Sequence, residues 1–198
     1  GFCLVGSEMC IRDSFRALVN GRSLGMRAFL RVDVLAHAGG PLYGGVPFRD
    51  EEAWSAFFAN YADVVEHYAL LAELTGCEVL AIGGGLPEAT RSQATPTEEE
   101  KGITLAPKVA AARARQDAGW RSVIARCRSA FTGALTYSAQ GLGSPWGYEP
   151  DSIAFWDALD LVGADLFGAL VMDDDPPGGP DDAELAKRVR DQVARLCR

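Results

Sequence analysis

Residues Thr75–Leu86 read TGCEVLAIGGGL, and three signals follow one another within them. Gly76 stands where a helix stops, because the residue just past a last helical turn is most readily a glycine. Glu78–Gly83 is a short apolar run between turn signals, the pattern of a strand covered on both faces. Gly83, Gly84 and Gly85 then close the strand. In parallel sheets flanked by helices, strand ends of this kind carry the chemistry. This one delivers glycines, so the stretch speaks for a fold before it speaks for an activity.

Upstream, Asp50 reads as a helix N-cap with Glu51 and Glu52 placed favourably against the helix dipole. Trp54, Phe57, Phe58, Tyr61, Val64, Val65, Tyr68, Leu71 and Leu74 then recur at three- and four-residue steps, one wide apolar stripe of a helix. Before it, Phe15–Ser23 reads as the end of a helix, Arg27–Leu35 as a strand, and His37–Phe48 as a loop with four glycines and two prolines. Downstream, Thr95–Lys101 is a charged loop. A helix is expected to start near Pro107, to break near Gly119 and to end at Gly133. Ala134–Ala139 is the next strand, Ser152–Ala158 a helical turn and Leu161–Val171 holds a further strand. A loop rich in Asp, Pro and Gly leads into a last helix, Ala183–Cys197. Helices alternating with apolar strands imply right-handed crossovers and a parallel sheet.

Composition bounds the function. The chain has 198 residues, short of the roughly 250 of a typical eight-fold βα barrel. With 19 Lys and Arg against 27 Asp and Glu its net charge is −8, which argues against nucleic acid, since no basic stripe is available to neutralise phosphates. No apolar run approaches the roughly 20 residues of a bilayer-spanning helix. The five cysteines are widely spaced with no C-x-x-C pair, so neither a disulfide framework nor a zinc site is indicated. Residues 1–14 (GFCLVGSEMCIRDS) carry neither an initiator Met nor the basic start of a secretory signal. They read as a non-native leader, and residues 15–198 as the domain, a fragment whose true N-terminus is missing.

Three segments carry a resemblance. AWSAFFANYADVVEHYALLAELTGCEVLAIG (Ala53–Gly83), GALTYSAQ (Gly133–Gln140) and FWDALDLVGADLF (Phe155–Phe167) resemble, in order and spacing, the beta-mannanase-like glycoside hydrolases of family 113. The resemblance implies a retaining enzyme on a (β/α)8 TIM barrel. It makes this chain a partial barrel, about strands three to six with their helices. It also implies departures. Gly85 stands where the family's fourth strand carries its general acid/base glutamate, and glycine has no proton to give. The family's nucleophile belongs to a seventh strand. Arg31, Val32 and Asp33 replace a Lys-Pro-His, and Leu166 and Phe167 replace an Ala-Tyr.

The residues left for a site are few. Glu88, three positions past Gly85, is the candidate displaced acid, against a plain reading as a solvated carboxylate at a helix start. Asp33, His37, Tyr137, Gln140, Trp146 and Asp165 are the candidate substrate-binding residues, with Tyr43 and Tyr148 as further aromatic faces for sugar rings. Asp165 has an alternative as a structural carboxylate paired with Arg31. The triple glycine fails as a dinucleotide fingerprint, because Glu88 occupies the place of the third glycine and no Walker lysine follows. No G-x-S-x-G elbow accompanies the two histidines. Asp173–Asp175 lacks EF-hand spacing. The reading therefore carries no metal and no cofactor. It expects a glycoside-hydrolase-like barrel fragment from a protein acting on beta-linked polysaccharide or oligosaccharide, itself inactive. Its partners would be a carbohydrate ligand and, through open edges, other copies of itself. The alternative is a non-catalytic sugar-binding or scaffold barrel. No compartment is assigned.

Overall fold

The computed structural model describes residues 8–34, 50–90, 105–141, 148–166 and 179–196, together with 170, 175 and 176. Its elements in chain order are α1 (Glu8–Ser23), β1 (Phe29–Arg31), α2 (Glu51–Thr75), β2 (Val79–Gly84), α3 (Pro87–Thr90), α4 (Leu105–Ala130), β3 (Ala134–Gln140), β4 (Gly163–Asp165) and α5 (Asp182–Leu196). Two 3-10 turns, Pro150–Ser152 and Trp156–Ala158, lie between β3 and β4. The four strands form one sheet in the order β1-β2-β3-β4. Every pair is parallel, with Phe29 opposite Val79, Val79 opposite Ala134, and Ser138 opposite Gly163. Sequential parallel neighbours with helices between them are the repeat of a βα barrel.

Helices α2 and α4 cover one face of this sheet. Trp54, Phe57, Phe58, Tyr61 and Val65 of α2 and Trp120, Val123, Ile124 and Cys127 of α4 bury against Leu80, Ile82, Leu135, Tyr137 and Ala139. The strand residues in that set alternate, as a period of two requires. Arg31, Thr136, Ser138 and Gln140 therefore lie on the opposite, inner face. Aromatic rings fill the helix layer. Phe57 stacks on Tyr61 at 5.4 Å between centroids, Trp120 stacks on Phe155 at 5.1 Å, and Tyr137 meets Trp120 edge-on at 5.2 Å. Each such pair contributes about 0.5–1.5 kcal/mol beyond its buried area.

The expected caps are present. Asp50 accepts the Ala53 N–H at 2.7 Å, and Gly76 ends α2 at φ 66°. Three boundaries differ. Helix α1 already begins at Glu8, inside the segment read as a leader. The strand expected over Arg27–Leu35 pairs only over Phe29–Arg31. Helix α4 runs through Gly119 without a break, because a Cβ there would stand 2.4 Å from the Phe58 ring. That glycine serves helix–helix contact rather than a stop.

Candidate functional site

The C-terminal strand ends bring four residues together on the inner face. Arg31 of β1 reaches across the sheet, and its Nη1 donates to both carboxylate oxygens of Asp165 on β4, at 2.8 and 2.9 Å. The same nitrogen donates to Ser138 Oγ on β3 at 3.2 Å, and the Ser138 hydroxyl donates to Asp165 at 2.6 Å. Arg31 Nε donates to Asp33 at 2.8 Å. Register explains the grouping. The β3–β4 ladder sets Ser138 opposite Gly163 and Gln140 opposite Asp165, so Asp165 lies two positions along from Ser138 on the same face, and Arg31 and Asp33 sit two apart on one face of one chain. Burial works against the Arg31 charge, yet the carboxylates of Asp33 and Asp165 outweigh it and raise the guanidinium above its ordinary range. Two acids around one base leave the cluster with a net charge of about −1, an arrangement that accepts hydroxyl donors well.

Arg31 can lie flat because β2 has no side chain beneath it. A Cβ on Gly84 would stand 2.8 Å from Arg31 Nη2 and 3.0 Å from the Ser138 carbonyl. Each glycine of the triplet thus has its own reason. Gly83 leaves room on the helix side for the Tyr61 hydroxyl, 2.5 Å from where its Cβ would be. Gly85 turns at φ +61°, a left-handed conformation that costs other residues about 1–2 kcal/mol. The pairing of β2 with β3 shifts register between Ala81 and Gly84, a bulge that interrupts the regular alternation, so that Ile82 and Gly83 both serve the helix side.

The sequence candidates are distributed as follows. Asp33 and Asp165 are joined through Arg31, so the pairing foreseen for Asp165 is present. Gln140 is wholly buried at the end of β3. Tyr137, expected among the substrate-facing residues, is also wholly buried, on the helix side. Odd-numbered residues of β3 face α2 and α4, which turns its ring away from the cluster. Its hydroxyl accepts the Leu86 N–H at 2.8 Å and donates to Glu149 at 2.9 Å. Glu88 is half-buried in the first turn of α3, and its carbonyl accepts from Gln116 Nε2 at 2.7 Å. His37, Tyr43 and Trp146 lie outside the described residues, while Tyr148 precedes Glu149 and is half-buried. Two participants were missed. Ser138 was legible in the Thr136, Ser138, Gln140 alternation. Glu149 stands in an irregular loop, where no period marks an inward-facing acid.

With this geometry in view, the likeness to known proteins becomes specific. The sequence model of Glycoside Hydrolase Family 113 matches residues 15–99. The GH113 beta-mannanase AaManA from Alicyclobacillus acidocaldarius, solved in complex with ManMIm, is 26% identical and superposes with a TM-score of 0.56. The chain is similar to the GH113 beta-mannanases in sequence and in fold. That superposition covers 78% of this chain and 41% of the mannanase. Two structures of a GH113 beta-1,4-mannanase, one of them a complex, are 21% identical with a TM-score of 0.57 over 93% of this chain and 48% of theirs. At that identity they speak for the fold alone. The GH113-like chain thus spans less than half the length of these structures, and its sheet is a partial TIM barrel. No curated protein matches it.

Elsewhere the GH113-like chain offers less. A cavity of about 240 Å³ opens among Thr90, Arg113, Asp117, Asp151, Ser152 and Phe155. It shares no residue with the Arg31 cluster. Among the described residues no three His, Cys, Asp or Glu side chains are grouped to hold a metal ion. No described helix is long and apolar enough to cross a membrane.

Proposed function

We propose that this GH113-like chain contributes the sugar-binding inner face of a barrel that acts on beta-linked oligosaccharide or polysaccharide, and that the chain by itself does not hydrolyse the glycosidic bond. One observation carries the binding half: the Arg31–Asp33–Ser138–Asp165 cluster at the C-terminal strand ends. Carboxylates pre-oriented by a guanidinium accept hydrogen bonds from sugar hydroxyls without further ordering. This is also the end of a βα barrel at which active sites assemble. That a GH113 relative was solved with ManMIm bound supports the choice of ligand.

The second half rests on chemistry. A retaining glycosidase needs two carboxylates about 5–5.5 Å apart, one to protonate the leaving oxygen and one to attack. The resemblance puts the first at Gly85 and the second on a seventh strand, whereas the described residues form four strands. Glu88 is the candidate substitute that the sequence offers nearby, and it lies on the turn after that position rather than at it. The alternative, a non-catalytic sugar-binding or scaffold barrel, is favoured by the same glycine.

The test is titration with β-1,4-linked mannotriose, followed by calorimetry, alongside an assay for released reducing ends. Binding without hydrolysis is expected. Asp165→Asn and Asp33→Asn should weaken binding at least tenfold, while Asp63→Asn on the outer surface of α2 leaves it unchanged. Equal binding by Asp165→Asn refutes the assignment of the cluster, and reducing ends released by the unmodified chain refute the inactivity.

A further inference from the structure

The carboxylate of Glu149 is wholly buried, and its donors come from separate stretches of chain. Thr90 Oγ1, at the end of α3, donates to Oε1. The Tyr137 hydroxyl donates to the same oxygen at 2.9 Å. The Gln140 main-chain N–H donates to Oε2 at 2.7 Å, and the Glu149 N–H returns a bond to the Gln140 carbonyl at 2.8 Å. Tyr137 has a single proton. Since its oxygen already accepts the Leu86 N–H at 2.8 Å, that proton is free to point at Glu149. Two hydroxyls and an amide thus converge on one acceptor group, as an ionised carboxylate requires.

We infer that Glu149 is the positioning residue of the candidate site, a clamp that ties two loops to the end of β3. The first loop is the turn from Gly85 to Thr90, which carries the position of the family acid and Glu88; it is held through Thr90 directly and through Tyr137 to Leu86. The second is the stretch from Glu149 into the turn Pro150–Ser152, held to the end of β3 by the reciprocal Gln140–Glu149 pair. This role deepens the sugar-binding reading, since it rests on these loops flanking the Arg31 cluster, but its test does not need sugar.

Amide hydrogen exchange of the intact chain provides that test. Glu149→Ala should speed exchange at Leu86, Thr90 and Gln140 at least tenfold more than at Val65 and Ala69 in the α2 core. Thr90→Val, which removes one arm and leaves the backbone intact, serves should Glu149→Ala not fold. It should speed exchange several-fold at Gln140 and Glu149 as well as in its own turn, and this cross-loop effect should vanish in a Glu149→Gln background. Uniform acceleration in Glu149→Ala, or a Thr90→Val effect confined to residues 85–90, overturns the clamp. If the exchange pattern holds while mannotriose fails to bind, the clamp stands and the sugar-binding reading falls.

Discussion

The Tyr61 hydroxyl on α2 donates to the Ile82 carbonyl on β2 at 2.8 Å. It occupies the space that a side chain on Gly83 would fill. The register shift in β2 takes this part of the strand out of regular pairing with β3, and a helix-borne hydroxyl satisfies its buried acceptor. Burial, the largest influence, pushes the Tyr61 phenol far above its ordinary range, which favours the protonated form that donates this bond.

Gly83→Ala should therefore destabilise the fold by about 1–3 kcal/mol, the cost of overpacking a filled core. Tyr61→Phe alone should cost about 1–3 kcal/mol by leaving the Ile82 carbonyl unsatisfied. The double variant should cost clearly less than the sum, because removing the hydroxyl makes room for the new methyl. Urea denaturation measures all three. Strict additivity would show that the two residues do not share the space.

Gly85→Glu should not restore chemistry to this chain. The new side chain would sit at φ +61°, at about 1–2 kcal/mol of strain, and would still lack a second carboxylate 5–5.5 Å away. The expected outcome is a lower melting temperature and no reducing ends from β-1,4-mannan. Should the unmodified chain prove active and Glu88→Gln abolish that activity, Glu88 is the acid.

Asp160 provides a pH signature. The Leu135 main-chain N–H donates to its carboxylate at 2.7 Å. That bond is the main reason its pKa is lowered, and pairing with Arg128 adds to it against a desolvation penalty. A depressed folded-state pKa means stability that is fully present above the unfolded value, near 3.9, and is lost as pH falls through the folded one. Melting temperature should thus decline below about pH 4. In Asp160→Asn, which keeps an acceptor but does not titrate, the decline should be shallower. Parallel pH profiles would assign the acid sensitivity to other groups.

Self-association is the remaining expectation. Among the described residues β1 and β4 end the sheet, and exposed apolar side chains lie beside both: Leu24, Met26 and Phe29 at one end, Leu161, Val162 and Leu166 at the other. Open strand edges flanked by apolar surface recruit further strands. Sedimentation should show dimers or larger species at micromolar concentration, reduced by combining Phe29→Lys with Val162→Lys. A concentration-independent monomer with a cooperative melt would contradict this.

Much of the scaffold was legible along the chain. Asp50 and Gly76 announced the ends of α2, and the apolar steps from Trp54 to Leu71 announced its buried face. The apolar runs at Glu78–Gly83 and Ala134–Ala139 located β2 and β3 to within a residue. These signals are local, since caps, helical period and strand alternation each involve residues within a few positions of one another. Even the Arg31–Asp165 pair was within reach, because a carboxylate placed within a strand of a covered sheet calls for a cation.

What the sequence determined by itself was therefore the order of helices and strands, their parallel sense and the likeness to the GH113 barrels. Tertiary structure alone decided what the three glycines are for. Gly83 answers to Tyr61, twenty-two positions earlier, and Gly84 answers to Arg31, two strand ends away in sequence but adjacent in space. It also decided that Tyr137 turns into the helix layer and that Glu149 gathers Thr90, Tyr137 and Gln140 around one buried charge. The reason is the same in each case. A missing side chain or a lone loop carboxylate has no periodicity to betray it, and its role is set only by which distant atoms the packed sheet brings to its side.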